Sequence, residues 1–78
     1  MIENISKEGK IFIEQMEEYN KEAISKAKNK ISLSYFSRKH NRSRQRVYDA
    51  LRGDAPGLLY KMKSHLNLLF DKIESNGK

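Results

Sequence analysis

Apolar residues recur at helical spacing in two long stretches and two short ones. No stretch of convincing length alternates apolar and polar residues with the period of two that a strand needs. In the first stretch Phe12, Met16, Tyr19, Ala23 and Ala27 lie three or four positions apart, and Ile13 and Ile24 widen the stripe. This predicts a helix from about Lys7 to about Asn29, with Ser6 as its N-cap and Gly9 weakening its first turn. Glutamates crowd its early turns and lysines its late ones, which suits the helix dipole, and Glu17–Lys21 and Glu22–Lys26 are spaced for i,i+4 pairing. After a break at residues 29–31, Ser32 or Ser34 is placed to cap a short helix that carries Tyr35 and Phe36 and ends near His40. Asn41 tolerates the left-handed backbone of a tight turn. Ser43 then caps a third helix, Arg44 to Arg52, whose inward face is Val47, Ala50 and Leu51, and Gly53 is its natural stop. Asp54 is a candidate cap for the last helix, with Pro56 tolerated in its first turn. From Leu58 to about Glu74 a seam of Leu59, Met62, Leu66, Leu69 and Ile73 runs at alternating three- and four-residue spacing, with Leu58, Leu68 and Phe70 beside it. The expected fold class is all-α: one compact four-helix domain over residues 1–78, with residues 1–6 and 75–78 frayed.

Composition narrows the class. Seventy-eight residues support a single core, and Leu, Ile, Val and Phe together number 18, so the domain is expected to be thinly stabilised. The absence of cysteine removes disulfides, thiolate metal sites and cysteine nucleophiles together. No apolar run approaches the roughly 18 residues of a membrane span. The start of the chain lacks the basic and apolar regions of a signal peptide, so the expected location is cytoplasmic, with no membrane partner.

Charge changes the picture most. The net charge is +6, but residues 1–24 carry three basic and six acidic side chains, whereas residues 25–63 carry eleven basic and two acidic. All five arginines, Arg38, Arg42, Arg44, Arg46 and Arg52, fall within one 15-residue window with Lys39 among them. The guanidinium fork suits phosphate oxygens and the guanine edge, so a basic block of this composition on a small domain points to nucleic acid. Two short helices joined by a tight turn, the second rich in Arg and Gln, have the form of a helix-turn-helix that sets its second helix into the major groove of DNA.

The stretch from Leu33 to Arg52 resembles the twenty-residue helix-turn-helix of phage Cro and repressor proteins. Phe36 matches the apolar position of the first helix, Ser37 the small residue where the helices touch, Asn41 the usual turn glycine and Ser43 the cap of the recognition helix. Val47, Ala50 and Leu51 match its buried positions, and Ala-Leu-Arg-Gly at 50–53 is similar to the end of many such motifs. Leu33 departs from the family's frequent glutamine, and Arg42 stands where an aliphatic turn residue is usual, so Arg42 is expected to reach outward to solvent. The resemblance implies that Arg44, Gln45, Tyr48 and Asp49 face base edges: Arg44 pairing with guanine, Gln45 with adenine, Asp49 accepting from cytosine, and Tyr48 touching a phosphate or a thymine methyl. Ser32, Ser34, Arg38, Lys39, Arg42, Ser43, Arg46 and Arg52 are the expected phosphate contacts, which fix register without reading sequence. An alternative for Asp49 is a salt bridge that orients Arg46 or Arg52.

Other chemistry finds no support in the pattern. His40 and His65 are 25 residues apart with no carboxylate at ligand spacing, so no metal site is expected; His40 packs at the turn and His65 on a helix flank. No catalytic triad, paired buried carboxylates or Gly-rich phosphate loop appears, and neither an enzyme, a cofactor nor a small-molecule ligand is expected. Phe12, Tyr19, Phe36 and Phe70 lie on apolar faces and are expected in the core rather than stacked on bases. The expected partners are double-stranded DNA and a second copy of the chain, because one recognition helix reads too few base pairs to select a site. The seam of the last helix is a candidate for that dimer surface, for the side buried against the first helix, or for both at once. The function expected is repression by occupancy at a phage- or plasmid-type control site. The alternatives are an accessory factor for excision, partitioning or transfer, and a small inhibitor that turns its basic face to another protein.

Overall fold

The computed structural model describes residues 4–75, and the described residues form four helices without a strand: α1 Lys7–Ser25, α2 Leu33–Lys39, α3 Arg44–Arg52 and α4 Pro56–Ser75. None of these helices is long and apolar enough to cross a membrane. The two long helices pack on each other, and α3 lies against both, while α2 packs against α3. Between them they bury Phe12, Tyr19 and Ala23 of α1, Phe36 of α2, Val47, Ala50 and Leu51 of α3, and Leu58, Leu59, Met62, Leu66 and Ile73 of α4. At the centre the Phe12 and Phe36 rings meet edge to face, 5.1 Å between centroids, and Tyr19 meets Phe70 in the same way at 5.4 Å. Such pairs add about 0.5–1.5 kcal/mol to the area each ring buries.

The seam of α4 is thus consumed by the chain's own core. Leu59, Met62, Leu66 and Ile73 are buried and Leu69 is half-buried, which removes the seam as a surface for a second copy; Tyr60 and Leu68 are the large apolar side chains that α4 leaves in solvent.

Three of the helix ends share one device. After α1, the N–H groups of Ala27 and Lys28 return to the carbonyls of Ile24 and Ala23; after α2, those of Asn41 and Arg42 return to Arg38 and Ser37; after α3, those of Gly53 and Asp54 return to Ala50 and Asp49. This is the Schellman pattern, which needs a residue with positive φ at its corner. Ala27, Asn41 and Gly53 fill that place with φ of 56°, 53° and 96°. Asn41 and Gly53 stand where the sequence predicts turns. Ala27 does not: α1 stops at Ser25 rather than near Asn29, and Ala27 and Ile24, expected on the apolar stripe, are exposed. An apolar periodicity cannot show that the chain has already turned away from the core.

The start of the chain is tied down rather than frayed at Ser6. Its N–H and hydroxyl both donate to the Leu51 carbonyl, at 2.9 and 3.0 Å, while its hydroxyl oxygen accepts from the N–H of Gly9 at 3.0 Å. Residues 1–3 and 76–78 lie outside the described residues. Gly9 has a packing reason to be glycine, since a Cβ there would collide with the Leu51 carbonyl oxygen. Ser6 and Gly9 thereby press α1 against the last carbonyl-bearing turn of α3.

Two further expectations are corrected. Asp54 does not cap α4; its N–H is taken by Asp49, and α4 opens with the Leu59 N–H on the Ala55 carbonyl, Pro56 leading the helix. Lys26 donates from Nζ to the Ile73 carbonyl at 3.0 Å rather than pairing with Glu22, placing its charge at the carbonyl end of α4; Lys21 pairs with Glu18 at 3.6 Å rather than with Glu17.

Candidate nucleic-acid interface

Between α2 and α3 the chain reverses through residues 40–43, and Ser37 fixes the reversal. Its carbonyl accepts from the Arg42 N–H at 3.0 Å, and its hydroxyl donates to the Arg42 carbonyl at 2.6 Å. With both backbone groups of Arg42 held, its side chain is left exposed to solvent, as the sequence predicts. Ser43 caps α3 by accepting from the Arg46 N–H at 3.2 Å, as its spacing predicts, and its hydroxyl proton remains to donate elsewhere.

α3 has two unlike faces. Val47, Ala50 and Leu51 are fully buried, whereas Arg44, Gln45 and Arg46 in its first turn are exposed. Tyr48 lies between, half-buried against the core. The exposed side chains are not independent. Asp49 gathers three donors: Gln45 Nε2 at 3.1 Å, Arg46 at 3.4 Å and Arg52 at 3.3 Å. Asp49 is half-buried, and Arg46 is the more exposed of its two arginine partners. Exposed pairs of this kind contribute at most about 1 kcal/mol to stability. The salt-bridge alternative weighed for Asp49 is therefore realised with both arginines at once. Arg44 reaches back to α2, donating to the Ser34 hydroxyl at 3.2 Å.

The other sequence-selected residues surround this group. Ser32 stands exposed at the N-cap of α2, its side chain making no capping bond, and Arg38 is exposed in the last turn of that helix. Lys39 lies over the Tyr35 ring, 5.7 Å from its centroid. Arg42 and Arg46 line a cleft of about 290 Å³ with Ala55, Gly57 and Leu58 and with Lys61 from α4. Lys61 carries no signal in the sequence, where it is one lysine on a helix full of polar positions; only the approach of α4 to the turn adds it to the cations. Over residues 33–52 six cationic side chains face the single carboxylate of Asp49. Even with Asp49 engaged by two of them, the surface stays strongly positive. α1 is the opposite, with Glu14, Glu17 and Glu18 exposed on one flank and Glu22 and Glu74 beside them in a groove against α4.

The two histidines, far apart in sequence, meet. His40 Nε2 and His65 Nδ1 are 3.1 Å apart, and His65 Nε2 lies 3.1 Å from the Tyr35 hydroxyl. Burial, with Lys61 nearby, holds the His40 pKa below its ordinary value. Burial likewise lowers that of His65, with help from His40, Lys39 and Lys72. Burial raises the pKa of the Tyr35 hydroxyl. Among the described residues no three potential ligands cluster as a metal would require. Comparison with known proteins finds no family model, no characterised protein and no solved structure that matches the chain.

Proposed function

We propose that this chain is a sequence-specific double-stranded DNA-binding protein that enters the major groove with the first turns of α3, and that it represses transcription by occupancy. The observation that carries the reading is the division of α3: a fully buried apolar face fixes the helix, and an exposed, positively charged N-terminal half stands away from the core. A helix so held offers Arg44 and Gln45 to base edges, where one bidentate pair gives about 1–3 kcal/mol of discrimination. Tyr48 and Asp49 flank them. In this reading Asp49 also sets the rotamers of Gln45, Arg46 and Arg52, because ordering long side chains before contact lowers the entropy lost on binding. Ser32, Ser34, Arg38, Lys39, Arg42, Ser43, Arg46 and Arg52 supply phosphate contacts, joined by Lys61 across the cleft. A second copy bound on the same duplex supplies the rest of the sequence information.

Selection of bound duplexes from a random library at about 150 mM salt tests the reading, since that condition suppresses backbone-only binding. An enriched palindrome is the expected result. Enriched tandem repeats would make the chain an accessory factor rather than a repressor, and no enrichment would overturn DNA recognition in favour of a protein partner. On the selected site, Arg44→Ala and Gln45→Ala flatten preference at particular bases. Arg42→Ala instead weakens every sequence and lowers the salt slope by about one counterion. Identical behaviour of the two kinds of variant would refute the division of roles.

A further inference from the structure

The helix that braces α3 is held to the rest of the molecule by an unusual link. α2 packs against α3 and reaches α4 through side chains rather than by close helix packing. Those side chains are aromatic and ionisable. Phe36 stacks on His40, meets His65 edge to face at 5.6 Å and backs onto Phe12 of α1. Beside it runs the chain from the Tyr35 hydroxyl through both nitrogens of His65 to His40 Nε2, two contacts of 3.1 Å that tie both ends of α2 to one residue of α4.

Proton bookkeeping in that chain is restrictive. With both imidazoles neutral, one hydrogen fills each contact, whichever tautomer His65 adopts. One added proton is tolerated on His65, which then donates to the Tyr35 oxygen and to His40. A second proton, on His40, sets N–H against N–H across 3.1 Å with no acceptor between them, and the contact must open. The charged groups acting on the pair are Lys39 from α2 and Lys61 and Lys72 from α4, all cationic, while α1 contributes the Phe12 ring behind Phe36. We propose that Tyr35, His65 and His40 form a proton-operated latch that holds α2 against α4 while at least one imidazole is neutral and releases it when both are charged.

The direction of the effect follows from burial and the lysines, which hold both imidazoles below their ordinary value of 6.5 in the folded chain. The unfolded chain therefore binds more protons in mild acid. The latch contributes its full stability above about pH 6.5, and that contribution is lost as the pH falls through the lowered folded values. Its consequence for DNA rests on the function proposed above: a released α2 no longer fixes the angle of α3, so discrimination between sites falls.

Amide exchange on the free protein at pH 7.5 and 5.0, corrected for intrinsic rates, tests the latch without DNA. Protection of residues 35–40 is expected to fall about tenfold more than that of Leu66 in α4, and the difference is expected to vanish in His40→Gln/His65→Gln, which keeps polar partners but cannot titrate. Equal pH dependence in the two proteins would overturn the latch. Should the double variant fail to fold, imidazole proton titration of the wild-type chain decides: midpoints at or above 6.5 overturn it, and depressed midpoints that coincide with loss of α2 protection support it. A chain that shows the exchange signature yet selects no duplex would refute DNA binding and leave the latch standing.

Discussion

The α1–α4 pair and the α2–turn–α3 unit are built on opposite plans. In the long pair the side chains that matter point inward: Phe12, Tyr19 and Ala23 from one helix, and Met62, Leu66 and Ile73 from the other, are buried, and the outer face of α1 is acidic. In the short unit each helix buries few side chains and spends its remaining positions on hydrogen-bonding groups in solvent; α2 buries Phe36 alone, and α3 buries one face. Short helices of seven and nine residues are too short to persist by themselves, so their order is borrowed from the long pair. On the DNA-binding function proposed above, stability and recognition are thereby separated in space, and substitutions should sort accordingly.

Four measurements sharpen or break that separation. The largest effect is expected from Phe36→Ala, which removes the ring that joins α2 to Phe12 of α1 and His65 of α4 and costs about 3–5 kcal/mol. Urea unfolding monitored by circular dichroism reads it, and a loss below about 1 kcal/mol would mean that α2 contributes little to the core. Gly9→Ala comes next. At an ordinary exposed helix position the change stabilises by up to about 1 kcal/mol. Here the Leu51 carbonyl blocks the new methyl, and overpacking costs about 1–3 kcal/mol, so the sign of the change in Tm decides whether α1 and α3 touch as described. Ala27→Gly relieves a left-handed alanine and is expected to raise stability by about 0.5–1 kcal/mol, visible as a higher urea midpoint at unchanged slope. Arg44→Ala, last, should leave stability within about 0.5 kcal/mol and, on the proposed DNA-binding function, change which duplexes are bound. A larger loss of stability would show that the exposed face of α3 also holds the fold together.

Most of the secondary structure was legible because helix signals are local. Ser6, Ser43, Asn41 and Gly53 stand at the ends where their chemistry places them. The end of α1 was not, since the apolar period continues through Ala27 although the backbone has turned. The misplaced cap at Asp54 has a similar origin: an acid just before a helix is a sound cap by composition, but the N–H demands of the α3 terminus had already fixed its backbone. Of the candidate site, the inward set on α3 could be read from spacing, and the outward set rested on the resemblance; Arg44 and Gln45 are exposed, whereas Tyr48 and Asp49 are half-buried. The partners of Asp49 were partly readable, because they lie three or four residues away on the same helix. Lys61 and the His40–His65 contact were not, because they depend on how α4 crosses α2 and the turn. Gly9 did carry a signal, an isolated glycine within a helical pattern, but its partner across 42 residues did not.

The Ser6 clasp on the Leu51 carbonyl has a kinetic consequence. It joins residues 45 apart, and closing so long a loop for a single residue's hydrogen bonds is unfavourable until the helices between them have formed. The contact is therefore expected to form late in assembly, after the transition state, and to act on the rate of opening rather than of formation. A Ser6→Ala chain would fold about as fast as the parent and unfold faster, so that Ser6 governs how long the carbonyl end of α3 stays seated once folding is complete.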